Sequence, residues 1–430
     1  MSKLRVGLFN DSFPPTIDGV ANVVINYAKS IHNRLGYVIV ATPHYPDVVD
    51  QYPFEVIRYP SANVSKRIGY RAGYPFSSKI VDMLMAKNID IIHTHSPFSS
   101  AILARVIRHY TGAPVVITYH TKFDIDINRR IAFNPLRKVS LKFLLSNINA
   151  CDEVWAVSEG AGENLRKIGY KGDYLIMENG VDYQKGKSSD ADMDKLKMKL
   201  ALPPHTVTFL YVGRMMWYKG IKITLDALKI AKDQGANFKM IFVGDGLDAQ
   251  EIKTYTKELN LESQCIFTGP IYDRDELKIY YSIADLFLFP STFDTNGIVI
   301  REASACSCPG ILIKDSAAAE GIDNDFTGIL IEENKDSMAK EIIRACDDRE
   351  RLKKIGENAN KYIYISWDNA VEKAYQRYEF ILENYQKKEL KDADYPIFIR
   401  EFKLVKKKIS KGRRKINDQK VKIMQMWTRF

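Results

Sequence analysis

The stretch from Pro290 to Ala305 carries residues whose types and spacing could bind a phosphorylated ligand. It follows an apolar run typical of a buried strand and passes through a polar turn into a pattern typical of a helix. Backbone N–H groups at the start of such a helix attract anions. Asp294 and Glu302, with seven residues between them, favour a ligand with phosphate and hydroxyl groups, such as a sugar nucleotide. The alternative is that Asp294 caps the helix and Glu302 is a solvated charge.

Basic residues suited to a diphosphate follow an earlier predicted strand, in the sequence GRMMWYKG. Arg214 comes after the Gly213 turn, and Lys219 lies where the next helix is predicted to begin. A guanidinium and an ammonium group there would stabilise a diphosphate leaving group, which gains negative charge as its bond breaks. The alternative is that both are surface charges at the end of a strand.

A second glycine turn, VGDG, contains Gly244 and Gly246 and would let the backbone approach a nucleotide closely. This turn alone is a weak signal. The chain has neither GxGxxG nor GxxxxGKS, which argues against a nicotinamide cofactor site and against a P-loop.

Histidines at two predicted strand ends could also take part. His120, in TYHTKFD, could hydrogen-bond a sugar hydroxyl or a developing charge, although such a histidine can equally be structural. His93 and His95 should alternate on a strand and point to opposite faces, which makes them a poor metal pair. With no DxD pair at a strand end either, no metal or other cofactor is expected.

The elements that must position these residues read as two series of alternating strands and helices. Strand-like runs of the first series occupy 4–9, 37–41, 89–97, 114–120, 151–160 and 174–182, and those of the second occupy 207–215, 238–246, 265–270, 285–290 and 310–315. This pattern predicts an α/β protein with two facing Rossmann-like domains, each a doubly wound parallel sheet. Ligands of such sheets bind outside the carboxyl ends of the strands, where the residues above lie.

These runs also suggest the domain boundaries. The predicted parts are an acceptor-side domain (1–182), a linker (183–200), a donor-nucleotide domain (201–365), a crossover helix (366–385) and a basic tail (386–430).

Composition limits the class of protein. Of the 430 residues, 46% are hydrophobic, which fits a globular protein with a large core. No apolar run approaches the roughly 18 residues of a membrane span, and the first residues do not have the pattern of a signal peptide. The five cysteines are scattered without metal-site spacing, so reduced thiols in the cytoplasm are expected.

The charge is concentrated in the tail. Residues 386–430 hold 15 Lys and Arg against 5 Asp and Glu, which accounts for the whole net charge of +10. Two further stretches, 65–76 and 128–145, mix basic with aromatic and aliphatic residues, and the second is typical of a helix lying on an anionic membrane. Peripheral attachment to the inner face of the cell membrane is therefore expected, the alternative being a solvated extension.

The ordered set of motifs FPPTIDG, TYH, ENGVD, GRMMWYKG, VGDG and the acidic pair resembles the retaining GT-B glycosyltransferases of the glycosyltransferase 4 type. The resemblance covers about residues 4–385 and is specific as a set. Within the family, DTNGI and HTHSPF look most similar to the enzymes that glucosylate diacylglycerol.

The resemblance implies roles at the donor site. Arg214 and Lys219 would hold the donor diphosphate, Glu302 would bind the nucleotide ribose, and Asp294 would contact hydroxyls of the donor sugar. The family needs no metal for this chemistry. Asp294 departs from the usual Glu and is one methylene shorter.

The resemblance also implies roles for backbone groups and for the other domain. The N–H groups of Asn296, Gly297 and Ile298 would lie near the donor, and His120 near the transferred sugar. Gly19 would approach the phosphates or the acceptor, from a loop in which Asp-Gly replaces the family's usual pair of glycines.

The expected function is transfer of a hexose, such as glucose from UDP-glucose, to a membrane lipid such as 1,2-diacylglycerol. One alternative is a glycosyltransferase with a soluble or polysaccharide acceptor. The other is a nucleic-acid-binding protein with a basic arm. Nucleic acid is not an expected partner, because the body of the chain is neutral and has no recognised nucleic-acid module.

Overall fold

The computed structural model describes residues 3–16, 18–63, 71–120, 134–294 and 297–385. Two α/β layers of parallel strands and helices make up this part of the chain. The basic tail, residues 65–70 and 128–133 of the two basic stretches, and Asn296 lie outside the described residues.

The first sheet contains seven strands in the order β3-β2-β1-β6-β7-β8-β9. Strand β1 runs parallel to both β2 and β6, with Val6 opposite Val38 on one side and Ile91 on the other. The two short strands β4 and β5 pair separately and antiparallel. The strands are β1 (Arg5–Phe9), β2 (Tyr37–Pro43), β3 (Glu55–Tyr59), β4 (Ser61–Ala62), β5 (Ala72–Gly73), β6 (Ile91–Thr94), β7 (Val115–Tyr119), β8 (Glu153–Ala156) and β9 (Leu175–Ile176).

The second sheet contains six strands in the order β12-β11-β10-β13-β14-β15, and all its recorded pairings are parallel. Parallel strands need a crossover between them, and helices provide it here. The strands are β10 (Val207–Val212), β11 (Phe238–Val243), β12 (Cys265–Gly269), β13 (Leu286–Phe289), β14 (Gly310–Ile313) and β15 (Ile329–Ile331).

Helices connect the strands of both sheets. They are α1 (Gly19–Ser30), α2 (Ser78–Met85), α3 (Ser99–Thr111), α4 (Asn134–Ile148), α5 (Glu159–Lys167), α6 (Asp190–Lys199), α7 (Ile221–Asp233), α8 (Ala249–Glu258), α9 (Arg274–Ile283), α10 (Ile298–Ala305), α11 (Lys335–Asp347), α12 (Arg349–Tyr362) and α13 (Trp367–Asn384). A π-helical turn (Ile31–Leu35) continues α1, and 3-10 turns lie at Trp217–Lys219 and Ala317–Ala319.

The central strands β10 and β13 of the second sheet are buried along their whole length, as is usual in a parallel sheet covered by helices. Every residue of β10 and of β13 is buried, so these strands read as continuous hydrophobic runs rather than as alternating ones. Removing this much apolar surface from water is the main stabilising contribution to the fold. The predicted fold class, two Rossmann-like parallel-sheet domains, is confirmed.

The described residues group into two compact units. One contains the described parts of Met1–Ile117, Lys138–Glu153 and Arg377–Phe430, and the other those of Thr118–Arg137 and Val154–Gln376. The last helix, α13, therefore begins in the second unit and ends in the first. Among the described residues no helix has both the length and the apolar character that crossing a bilayer requires.

Candidate active site

The predicted donor-site residues follow three neighbouring strands of the second sheet. Arg214 and Lys219 come after β10, Gly244 and Gly246 after β11, and Asp294 after β13. Strands β11, β10 and β13 are adjacent and parallel, so the loops at their carboxyl ends share one edge of the sheet.

Glycines bring the loops after β10 and β11 into backbone contact. A Cβ atom on Gly244 would lie 2.0 Å from the carbonyl oxygen of Gly213, and one on Gly246 would lie 2.4 Å from that of Met215. Gly244 also has a φ of 138°, which residues with a side chain rarely adopt. The close approach that the sequence predicted toward a nucleotide is thus also a close approach between two loops.

Lys219 is buried at the end of the 3-10 turn after β10. Its Nζ lies 2.5 Å from Oδ1 of Asp294 and within 6 Å of the ring centroids of Tyr218 and Phe293 (5.7 and 5.4 Å). An ammonium group above aromatic faces is further stabilised by the ring quadrupoles. Lys219 is therefore fixed in place before any ligand binds, and it is not a free surface charge.

Asp294 uses both carboxylate oxygens within the protein. Oδ1 accepts from Lys219, and Oδ2 accepts a 2.6 Å hydrogen bond from the Ser291 hydroxyl. It does not cap the helix that follows: the N-cap of α10 is Gly297, in the left-handed region at φ 50°, and no side chain caps that position. The alternative of Asp294 as an N-cap is therefore wrong.

Glu302, on α10, is buried rather than solvated. Its Oε1 accepts a 2.6 Å hydrogen bond from Nη2 of Arg274, and its Oε2 accepts one of 2.8 Å from the Tyr281 hydroxyl. Burial and the charge of Glu302 raise the pKa of Tyr281 well above its usual value, so this hydroxyl stays a donor. The alternative of Glu302 as a solvated helix charge is therefore wrong.

Arg274 and Tyr281 were not identified from the sequence. Both lie on α9, seven residues apart, so two helical turns bring them to the same face. The guanidinium of Arg274 also lies 3.6 Å from Oδ2 of Asp182 and 4.5 Å from the ring centroid of Tyr183. A basic and a phenolic residue at this spacing are visible in the sequence, but the sequence does not show that both donate to Glu302.

Arg214 differs from Lys219 in its surroundings. Its side chain is exposed, and its carbonyl oxygen accepts a 3.0 Å hydrogen bond from Tyr211. Its guanidinium forms no ion pair within the part of the chain that the structure describes. The group is therefore available to an anionic ligand at the edge that carries Lys219.

His120 directly follows β7 and is buried. Burial lowers its pKa to about 3, so the imidazole is neutral near pH 7. A neutral imidazole can donate one hydrogen bond and accept another, but it carries no positive charge for a leaving group.

Gly19 begins α1, and among the described residues beyond its chain neighbours no atom lies within 4 Å of the position that a Cβ would take. The neighbouring Asp18 is the N-cap of this helix. Its Oδ1 accepts from the backbone N–H of Ala21 at 2.7 Å and from the Ser12 hydroxyl at 3.1 Å. Asp in place of a second glycine is thus explained by capping, a common use of Asp before a helix.

The prediction that His93 and His95 point to opposite faces is wrong. Their ring centroids are 4.0 Å apart, because side chains alternate along a strand and residues two apart therefore lie on the same face. Nδ1 of His93 is 2.6 Å from the hydroxyl of Tyr378 on α13. Across the residues that the structure describes, no group of three or more His, Cys, Asp or Glu could hold a metal ion.

Two sequence models of known families match most of the chain between them. Glycosyltransferase Family 4 matches residues 17–185, and Glycosyl transferases group 1 matches residues 192–362. The second match contains Lys219, Asp294, Glu302 and Arg274, so the geometry described above lies within a domain of known type.

Individual relatives are distant but extensive. The alpha-monoglucosyldiacylglycerol synthase of Streptococcus pneumoniae is 26% identical over 312 residues, which are 72% of this chain and 70% of that protein. The protein of the same name from Acholeplasma laidlawii is 25% identical over 370 residues, 83% of this chain and 92% of that protein. Among solved structures, Anabaena Alr3699/HepE in complex with UDP aligns with a TM-score of 0.70 at 20% identity, over 89% of this chain and 100% of that one. This likeness confirms the GT-B fold.

Proposed function

The chain belongs to the GT-B glycosyltransferases that join a Family 4 domain to a group 1 domain, and from this membership we propose that it moves a hexose from a nucleotide sugar to a membrane lipid, retaining the anomeric configuration. The observation that carries the proposal is the pair of engaged carboxylates, Asp294 and Glu302, at the edge of the sheet where Lys219 is fixed and Arg214 is exposed.

The proposed donor is UDP-glucose. Its diphosphate would lie against Arg214 and Lys219, its ribose hydroxyls against Glu302, and its sugar hydroxyls against Asp294. Support comes from the resemblance of the motifs and from HepE, whose structure contains UDP. The glycine backbone of Gly213, Gly244 and Gly246 would line the phosphate side of the site, and Gly297 and Ile298 would offer backbone N–H groups.

The chemistry follows from the charges. When the bond between the sugar and the diphosphate breaks, negative charge grows on the leaving phosphate oxygen. Lys219 is already oriented by Asp294, so little reorganisation is needed as this charge develops. Arg214 adds a planar donor group that can contact two phosphate oxygens at once. Neither residue requires a metal ion for this task, and none is proposed.

His120 would serve the transferred sugar rather than the phosphate. Its pKa of about 3 leaves it neutral throughout the physiological range, so it would hydrogen-bond a sugar hydroxyl without adding charge. The anomeric centre develops positive character in glycosyl transfer, and a neutral neighbour avoids repelling it.

The proposed acceptor is 1,2-diacylglycerol at the inner face of the cell membrane. The two alpha-monoglucosyldiacylglycerol synthases support this acceptor by their names, and the 15 basic residues of 386–430 support attachment to an anionic surface. Each Lys or Arg near such a surface contributes about 1 kcal/mol, so even a few engaged residues would hold the protein there.

The donor is tested by thermal unfolding of the full chain with UDP, GDP and ADP sugars, each with and without EDTA. A ligand at 100 times its Kd stabilises a protein by about 2.7 kcal/mol. We expect a shift for UDP-glucose that EDTA does not reduce. A shift with GDP-mannose alone would replace the donor, and no shift with any sugar nucleotide would contradict the proposal.

The acceptor is tested with radiolabelled UDP-glucose and liposomes containing diacylglycerol, with and without anionic lipid. We expect labelled glycolipid, formed faster on the anionic liposomes. Transfer to a soluble sugar with no labelled lipid would favour the soluble or polysaccharide acceptor. Deletion of 386–430 should reduce transfer on anionic liposomes and leave UDP binding unchanged.

A further inference from the structure

Glu302 is held from one side by two residues of a single helix. Arg274 and Tyr281 of α9 each donate to a different oxygen of its carboxylate, at 2.6 and 2.8 Å. An ionised carboxylate in a buried position is costly unless it is paired and hydrogen-bonded. Arg274 supplies the opposite charge, and both residues supply hydrogen bonds.

The Glu302 carboxylate can accept further hydrogen bonds, and two adjacent hydroxyl groups could supply them. A carboxylate offers about four lone-pair sites on its two oxygens. The structure shows Arg274 and Tyr281 each using one site, on different oxygens, so a site on each oxygen remains. Two adjacent hydroxyl groups, such as the 2′ and 3′ hydroxyls of a ribose, could donate to these sites together. The orientation of the carboxylate then decides whether both hydroxyls are reached.

Arg274 is itself held in a defined place. Burial alone would lower its pKa, but the charge of Glu302 and the hydrogen bond to it outweigh this and raise the pKa, so the group stays charged. Its Nε faces Asp182 at 3.6 Å, and its guanidinium carbon lies over the Tyr183 ring, 4.5 Å from the ring centroid. A planar guanidinium can contact two carboxylates in fixed directions, which a lysine ammonium cannot do.

We propose that Arg274 and Tyr281 are positioning residues that hold the Glu302 carboxylate charged and oriented for the ribose hydroxyls of the donor. The proposal rests on the assignment of Glu302 to the ribose under the proposed function and extends it to two residues of α9. Neither residue needs to touch the donor. Their effect is exerted through Glu302, and it is confined to ligands that carry the ribose hydroxyls.

The test compares two ligands that differ only in these hydroxyls. Affinities of the full chain for UDP and for 2′,3′-dideoxyuridine 5′-diphosphate are measured by calorimetry, and their ratio reports the hydroxyl contacts. We expect Arg274→Gln and Tyr281→Phe to lower this ratio about tenfold and fivefold, while affinity for the dideoxy ligand stays within twofold of the wild type. Arg274→Lys should retain part of the ratio because it keeps the charge.

Arg349→Gln is the matched control. Arg349 is as exposed as Arg274 (side chains 45% and 43%) and also donates to a carboxylate, Asp285, at 2.7 Å, but that acid lies at the opposite end of β13. Its substitution should leave the ratio unchanged. Thermal unfolding of each variant shows whether it is folded.

Three outcomes would overturn the proposal. If both ligands weaken equally in the Arg274 and Tyr281 variants, the two residues have a structural role only. If the ratio does not change, they do not act through Glu302. If UDP binds more tightly to Arg274→Gln, Arg274 competes with the ribose. An affinity ratio near one for the wild type would instead show that Glu302 does not bind the ribose. No binding of UDP by the wild type would contradict the proposed donor, and this inference would fall in either case.

Discussion

The two acidic residues of the site, Asp294 and Glu302, form ion pairs that differ in which partner is buried. In the Asp294 pair the cation is the buried partner: the Lys219 side chain is 8% exposed and the Asp294 side chain 25%. In the Glu302 pair the acid is the buried partner: its side chain is 6% exposed and that of Arg274 is 43%. Each acid also receives one hydroxyl, from Ser291 or from Tyr281.

This difference indicates what each pair can offer a ligand. In the Asp294 pair, an acid with an exposed edge orients a buried cation that also lies against two aromatic rings. In the Glu302 pair, the exposed arginine compensates a nearly enclosed acid. The first pair is therefore suited to the changing charge of a leaving group, and the second to neutral hydroxyls that bind in a fixed geometry.

The largest effect is expected at Lys219. Lys219→Met keeps the length of the side chain and removes the charge, so the leaving diphosphate loses its preorganised partner. We expect the turnover of sugar transfer to fall about 10²- to 10³-fold, or 2.7–4 kcal/mol. Lys222→Met, three residues further on and exposed, should leave turnover unchanged. A loss in donor affinity with unchanged turnover would contradict the role in the reaction step.

The next effect concerns the loops that support the Asp294 pair. Gly244→Ala would place a methyl group 2.0 Å from the Gly213 carbonyl oxygen at a positive φ, and should cost about 3 kcal/mol in the free energy of unfolding. Gly235 also has a positive φ, but within the described part of the chain no atom beyond its neighbouring residues lies within 4 Å of its Cβ position. Gly235→Ala should therefore cost only about 1 kcal/mol. Equal costs in urea unfolding would show that the two loops can separate.

Asp294→Asn tests whether this half-buried acid orients Lys219 or binds the sugar. Removing its charge leaves the positive charge of Lys219 uncompensated, so we expect affinity for UDP to rise a few-fold. The turnover of UDP-glucose should fall about tenfold, because Lys219 loses its orienting partner. Ser291→Ala, which removes only one hydrogen bond to Asp294, should show both changes in weaker form. A fall in UDP affinity would contradict the compensating role of Asp294.

The effect that is smallest near neutral pH concerns His120, whose pKa is lowered by burial. Its pKa falls from 6.5 to about 3 on folding, so the unfolded chain binds a proton between these values that the folded chain does not. Its contribution to stability is complete above pH 6.5 and is lost as the pH falls toward 3, at about 1.4 kcal/mol per pH unit. His120→Gln should flatten this part of the profile in thermal unfolding. An unchanged slope would exclude His120 as its source.

Much of the fold could be predicted because it depends on local patterns. The buried strands β10 and β13 read as continuous apolar runs, and the helices between them as amphipathic segments. The parallel topology alone predicted which edge of the second sheet carries Lys219, Asp294 and the glycine turns. Such sheets place their functional loops at the carboxyl ends of the strands. The family resemblance then implied a role for each residue.

The sequence was less informative where a side chain's role depends on a distant partner. Asp294 could have been a cap, and only the positions of Lys219 and Ser291 show that it is an ion-pair partner. His93 and His95 share a face, as residues two apart in a strand do, but only the structure shows that Nδ1 of His93 meets the hydroxyl of Tyr378, 285 residues away.

The sequence by itself determined the order of elements, the parallel sheets and the family, because hydrophobic periodicity and short glycine motifs are properties of neighbouring residues. Only the tertiary structure decided how the two acids are held. The partners of Glu302 lie 28 and 21 residues away, on another helix, and no local pattern specifies which residue of one helix an arginine of another will reach. That packing therefore decides that the cation is the buried partner in one ion pair and the acid in the other.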